Sequence, residues 1–186
     1  CHIRTRIVQG AGSISRTGLL AAGLSSRRAL IVTDHGIIAA GHVQKAIDSL
    51  SAAGIEAVVF DGAEENPTTE HVEAAVYFAR DSNPDLIIGL GGGSSLDTAK
   101  GCNFLLAGGG RIQDYWGTGK GRGQFLPMIA IPTTGGTGSE MQSYALISDS
   151  ETHVKMACGD VRAACAVAIL DPLLTLTQPT QVTAVT

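Results

Sequence analysis

Leu86-Ile-Ile-Gly-Leu-Gly-Gly-Gly-Ser-Ser-Leu-Asp-Thr-Ala-Lys100 runs from six strand-like residues straight into consecutive glycines and then a helix-like pattern. After a buried strand, such glycines let the backbone approach an anion, and the next helix points its free N–H groups and positive dipole end there. A second stretch repeats the design: Met128-Ile-Ala-Ile-Pro-Thr-Thr-Gly-Gly-Thr-Gly-Ser-Glu140 combines four hydroxyls with three glycines behind another apolar run. Two loops of this kind in one domain of 186 residues point to a nucleotide.

The segments around them alternate. Residues 28–33 form a short apolar run of the kind buried in a parallel sheet, and Val43, Ile47, Leu50 and Gly54 follow at helical spacing, with Gly54 as a stop. Residues 56–60 are a strand, and Asn66-Pro-Thr-Thr-Glu opens a helix capped by Thr68 or Thr69, with Val72, Val76 and Ala79 on one face. A strand over 85–90 leads through the first glycine loop into a helix from about Ser95 to Leu106. Residues 108–123 hold seven glycines and read as a mobile surface loop. Strands are expected at 128–131, 144–147, 154–157 and 166–170. This series predicts an α/β, Rossmann-like, doubly wound and mostly parallel sheet with helices on both faces. Ligands of such a sheet sit beyond the carboxyl ends of the strands, where Asp34, Gly91–Ser94 and Thr133–Thr137 fall.

Composition narrows the function. Hydrophobic residues at 44% against 16% charged exclude disorder, and 4% aromatics leave an aliphatic core. A net charge of −4 without a Lys/Arg cluster argues against nucleic acid or an anionic membrane as a partner. No apolar run is long enough to span a membrane, and the first eight residues lack a signal-peptide core, so a cytoplasmic location is expected. Cys1, Cys102, Cys158 and Cys165 are scattered and read as buried thiols. His2, His35, His42, His71 and His153 lack the spacing that sets two imidazoles on one helix face, so no metal site is expected within the chain.

Each motif also admits a plainer role. Gly91, Gly92 and Gly93 with Ser94 could hold a pyrophosphate or form an ordinary turn with a serine cap, and Asp97 could serve only the helix dipole. Thr133, Thr134, Thr137 and Ser139 could bond ribose, phosphate or carboxamide, or form a polar loop, or a capping pair in which Ser139 precedes a helix; Glu140 could be a catalytic acid or an ion-paired surface group. Asp34 could accept from the adenosine ribose 2′-OH, which would repel a 2′-phosphate and select NAD over NADP, or could cap a helix. The dinucleotide fingerprint G-x-G-x-x-G is absent, since Ser94 stands where its last glycine belongs. A Walker A loop is excluded by Asp114 and Gly121, and no G-x-S-x-G elbow occurs.

Taken together, Val32-Thr-Asp34, Val59-Phe-Asp-Gly with Asn66-Pro-Thr, Gly91-Gly-Gly-Ser-x-x-Asp-x-Ala-Lys100, Ile131-Pro-Thr-Thr-x-Gly-Thr-Gly-Ser-Glu140, Lys155-Met and Leu170-Asp-Pro-x-Leu-Thr175 resemble the iron-containing (group III) alcohol dehydrogenase family. The resemblance implies an NAD-binding α/β domain followed by an all-helical domain that binds Fe2+ or Zn2+ through one Asp and three His. It implies an oxidoreductase that interconverts an alcohol and an aldehyde or ketone in the cleft between the two. By the same resemblance Asp34 and Asn66 face the adenosine half of NAD, Gly93 and Ser94 hold the pyrophosphate, and Asp97 lies towards the nicotinamide. Thr133, Thr134 and Thr137 line the cofactor, with Tyr144, Lys155 and Thr175 near it. Gly135-Gly136 departs from the Ala-Gly or Ser-Gly common in the family and loosens the loop. Family members are commonly dimers or larger, so a homodimer or higher homo-oligomer is implied.

The sequence opens on Cys1 and stops at Thr186, just before the family's first metal-ligand helix. The expectation is therefore a cofactor domain over 1–178 with the start of the helical domain at 179–186, competent for NAD but inactive alone. A maleylacetate reductase-like enzyme, a dehydroquinate synthase-like enzyme, or a non-catalytic nucleotide-binding module ending at Thr186 are the alternatives.

Overall fold

The computed structural model describes residues 5–178. The expected domain start at 179–186, and the thiol of Cys1, lie outside the described residues. Six strands form one wholly parallel sheet: β1 (Arg6–Gln9), β2 (Arg28–Val32), β3 (Glu56–Phe60), β4 (Leu86–Gly91), β6 (Met128–Pro132) and β9 (Val167–Leu170), in the order β1-β9-β6-β4-β2-β3. The central strands are continuous apolar runs because helices cover both faces. Alternate side chains separate cleanly. Ala29, Ile31, Ile88, Leu90, Ile129 and Ile131 pack on one face with α1 (Thr17–Gly23) and α3 (His42–Ala52). Leu30, Val32, Ile87, Met128 and Ala130 pack on the other with α4 (Thr69–Ser82) and α5 (Gly93–Gly108). The side chains of Ile31, Ile88 and Ile131 are wholly inaccessible, and each contributes on the order of 2 kcal/mol by leaving water.

The strand order fixes where a ligand can enter. The chain leaves β2 for β3 through α2 (His35–Ala39) and α3 on one face, then returns through α4 on the opposite face to β4, on the other side of β2. The loops after β2 and β4 therefore diverge and open a crevice at the carboxyl edge, the switch point of such a sheet. A smaller sheet, β5 (Gly117–Thr118), β8 (Lys155–Gly159) and β7 (Tyr144–Ser148), packs beside α5, with β7 antiparallel to β8. Among the described residues no helix is long and apolar enough to cross a membrane.

Several expectations are corrected by packing. Residues 108–123 are not a loose loop: Ile112 and Tyr115 are wholly buried in a short 3-10 turn, and Tyr115 Oη donates to the Gly109 carbonyl at 2.7 Å. Arg162 donates to Asp160 and to the Gly121 and Gly123 carbonyls, which clamps the far end. Ser94 does not cap α5; Gly92 is the cap residue and Ser94 stands inside the first turn. Ser139 begins a three-residue 3-10 turn rather than a helix. The 144–147 and 154–157 strands leave the main sheet for the smaller one, while the last strand rejoins it. Thr68 is the cap residue of α4, and its backbone N–H donates to His71 Nδ1 at 3.2 Å.

Candidate functional site

Gly91 ends β4 at φ +148°, and a Cβ there would lie 2.4 Å from Ser95 Oγ, so only glycine fits. That turn brings α5, sixteen residues long, with its N-terminus facing the crevice. Gly92 and Gly93 leave room against Thr134 and Thr137; added Cβ atoms would stand 3.7 Å and 3.4 Å from those side chains. Thr133 donates its N–H to the Gly91 carbonyl at 2.9 Å, which ties the two glycine loops together.

A crevice of about 730 Å³ opens between these loops, within the range of cofactor sites. Asp34, Gly36, Ile37 and Ala40 line it after β2; Gly92, Ser94, Ser95 and Thr134 line it from the two glycine loops, and Thr177 and Gln178 border it too. Asp34 takes the capping role: Oδ1 accepts from Ile37 N at 3.0 Å at the start of α2, and Oδ2 accepts from Ser95 Oγ at 3.2 Å beside the glycine turn. A second crevice of about 550 Å³ adjoins it, lined by Gly10, Pro132, Gly135, Glu140 and Thr175, and Thr134 borders both. The Thr134 hydroxyl is buried with no protein partner. An orphaned hydroxyl beside two glycines and a helix N-terminus fits a ligand rich in acceptor oxygens, such as a dinucleotide pyrophosphate.

The remaining candidates separate into two groups. Asn66, in a left-handed backbone at φ 54°, donates its N–H to Ser94 Oγ at 3.3 Å and accepts from Lys155 Nζ at 3.5 Å, so Asn66, Ser94 and Lys155 form one chain over the start of α5. Thr137 is exposed at the loop tip above Gly93. Thr133 and Asp97 turn inward. Thr133 is wholly buried and accepts from Gln178 Nε2 at 3.0 Å. Asp97 is only 9% exposed and accepts from Ser139 Oγ at 2.9 Å, so it lies under the second loop. Tyr144 turns its phenol to Thr118 Oγ1 at 3.1 Å.

One functional group escaped the sequence reading. Lys100 is wholly inaccessible, and its ammonium donates to the carbonyl and hydroxyl of Ser139 and to the Tyr144 carbonyl at 3.0 Å, with Asp97 Oδ1 at 3.9 Å. It fastens α5 to the far end of the threonine loop. Burial disfavours both charges, pushing Asp97 above and Lys100 below its usual range, and each partly restores the other. The signal was a lysine in a helix whose residues 95–105 are all buried. Burial also pushes the Cys102 thiol up to about 12 and those of Cys158 and Cys165 to about 11, so none is a nucleophile at neutral pH. Among the described residues no group of three His, Cys, Asp or Glu side chains converges on a cation position.

A sequence model of iron-containing alcohol dehydrogenases matches residues 4–172. The chain belongs to the iron-containing alcohol dehydrogenase family. It is 36% identical over 179 residues to an NAD-dependent methanol dehydrogenase of Bacillus methanolicus, which covers 96% of this chain and 47% of that protein. It is 39% identical to a choline dehydrogenase of Bacillus subtilis (strain 168), over all of this chain and 47% of that protein. A crystal structure of 1,3-propanediol oxidoreductase superposes with a TM-score of 0.92 at 34% identity, covering 96% of this chain and 47% of that one. A sulfoacetaldehyde reductase from Bifidobacterium kashiwanohense in complex with NAD+ gives 0.91 at 29% identity, covering 98% of this chain and 48% of that one. The chain thus spans about half the length of these relatives, as an oxidoreductase-family α/β half.

Proposed function

We propose that this chain is the cofactor-holding half of an NAD-dependent, metal-dependent alcohol dehydrogenase that interconverts an alcohol and an aldehyde or ketone. The observation that carries the reading is the crevice between β2 and β4, with the Asp34 carboxylate on one wall and the glycine-lined N-terminus of α5 on the other. Asp34 accepts from the adenosine ribose hydroxyls and repels a 2′-phosphate. The amides of Gly92–Ser94 and the Thr134 and Thr137 hydroxyls receive the pyrophosphate, while Asn66 and Lys155 close over it. Asp97, Tyr144 and Thr175 complete the surroundings, the first two through the loop that Lys100 holds.

Bound NAD supplies the hydride acceptor, and the chain orients it and excludes water from it. The family's Fe2+ or Zn2+ would draw its ligands from outside residues 5–178, since nothing among these residues holds it. The relatives named for methanol, choline and 1,3-propanediol support a small alcohol as substrate. A homodimer or larger assembly in the cytoplasm belongs to the same proposal, and light scattering on the purified protein tests the first part. The function itself is tested by fluorescence titration with NADH: saturable binding below millimolar concentration is expected, and a folded chain that binds none removes the reading.

A further inference from the structure

His42 is 1% exposed, and its Nε2 meets Thr177 Oγ1 at 2.6 Å across 135 residues of sequence. Gly41, left-handed at φ 76°, turns the chain out of α2 into α3, and the imidazole of His42 reaches the Pro172–Thr177 turn. Both ends of this contact border one opening. Gly36, Ile37 and Ala40, just before His42, line the larger crevice, and so do Thr177 and Gln178.

The hydrogen-bond chemistry assigns direction. Thr177 has one hydroxyl proton, and its Oγ1 donates that to the Leu174 carbonyl at 3.2 Å. With its proton spent there, Thr177 accepts, and His42 then carries its proton on Nε2. Nδ1 is left buried with no partner. Burial first, then Lys45, lowers the pKa of this ring, against the Leu174 carbonyl and Asp171, so the neutral tautomer is the working form. An unsatisfied buried nitrogen is a cost that a leucine of similar size would avoid, so the imidazole must return something through its other nitrogen. What it returns is the position of Thr177 and, next to it, of Gln178, whose Nε2 donates to Thr133 Oγ1 at the base of the threonine loop.

We infer that His42 is a positioning residue of the nucleotide crevice, which sets the crevice width by stitching α3 to the wall formed by Thr177 and Gln178. The inference rests on the cofactor reading above. In the full-length protein, His42→Leu should weaken NADH binding about 2- to 10-fold, the net worth of one hydrogen bond. Thr177→Val should do the same, and the double variant should be no worse than either alone. His42→Gln, whose amide can donate from a similar place, should restore binding. Fluorescence titration reads all four, and amide exchange at Leu174–Gln178 should quicken in His42→Leu and return in His42→Gln. A folded His42→Leu protein with wild-type NADH affinity, or a double variant with additive losses, would overturn the assignment alone. A wild-type protein without saturable NADH binding would overturn it together with the cofactor reading.

Discussion

Lys100→Met removes one buried charge and its hydrogen bonds while filling much of the space of the lysine stem. The structure sets the cost. Asp97, 9% exposed, loses its cation, and the carbonyls of Ser139 and Tyr144 lose their donor. Removing one partner of a buried pair costs about 3–5 kcal/mol, and release of the lysine's own desolvation offsets part of it, so a net loss of about 3 kcal/mol is expected. In a domain of this size that lowers Tm by roughly 6–12 °C. The loss must also depend on pH. Without Lys100 the already raised Asp97 rises further above its ordinary 3.8, so the folded state holds a proton that the unfolded state releases. Stability is then greatest below the unfolded value and falls as pH climbs through the folded one, making the deficit larger at pH 8 than at pH 5. Urea unfolding at both pH values measures it, and Asp97→Asn in the Lys100→Met background should recover part of the loss at pH 8. A Lys100→Met protein within about 0.5 kcal/mol of wild type at pH 8 would refute the argument. A deficit equal at the two pH values would refute the role given to Asp97.

Gly91→Ala places a Cβ 2.4 Å from Ser95 Oγ at φ +148°, so it should cost about 1–3 kcal/mol and weaken NADH binding at least about tenfold, read by melting and titration together. Asp34→Ser keeps a cap for Ile37 N but removes the charge proposed to face the ribose, so the preference for NAD over NADP should fall about tenfold or more with melting nearly unchanged. The forked bond from Arg162 holds the Asp160 carboxyl at about 2, below its ordinary 3.8, so its contribution is complete above that value and is lost as pH falls towards 2. Asp160→Asn should therefore flatten the acid limb of the stability curve, measured by urea unfolding from pH 5 down.

Much of the fold was legible because local signals and burial agree. Glu56–Phe60 is a strand at the expected residues, and β4, β6 and α4 stand within a residue or so of expectation, since runs covered on both faces are apolar throughout. What escaped were elements defined by their neighbours. Strand β1 buries only Val8 of its four residues, because it lies at the sheet edge and pairs only with β9, so its sequence carries no alternation to read. The glycines of 108–123 suggested looseness, yet Ile112 and Tyr115, three apart, anchor the segment in the core. In the candidate site, residues at strand ends were visible as motifs, whereas Lys100 and His42 matter through partners 39 and 135 residues away. Topology alone brings such pairs together.

One dinucleotide is proposed to occupy the crevice between β2 and β4. Amide chemical-shift mapping of the labelled chain with NAD+ tests it most directly. Saturable shifts are expected at Gly92–Ser95, Asp34–Ile37, Thr134–Thr137 and Thr175–Gln178, with edge strand β1 silent. Shifts confined to other surfaces, or none at saturating NAD+, would contradict it.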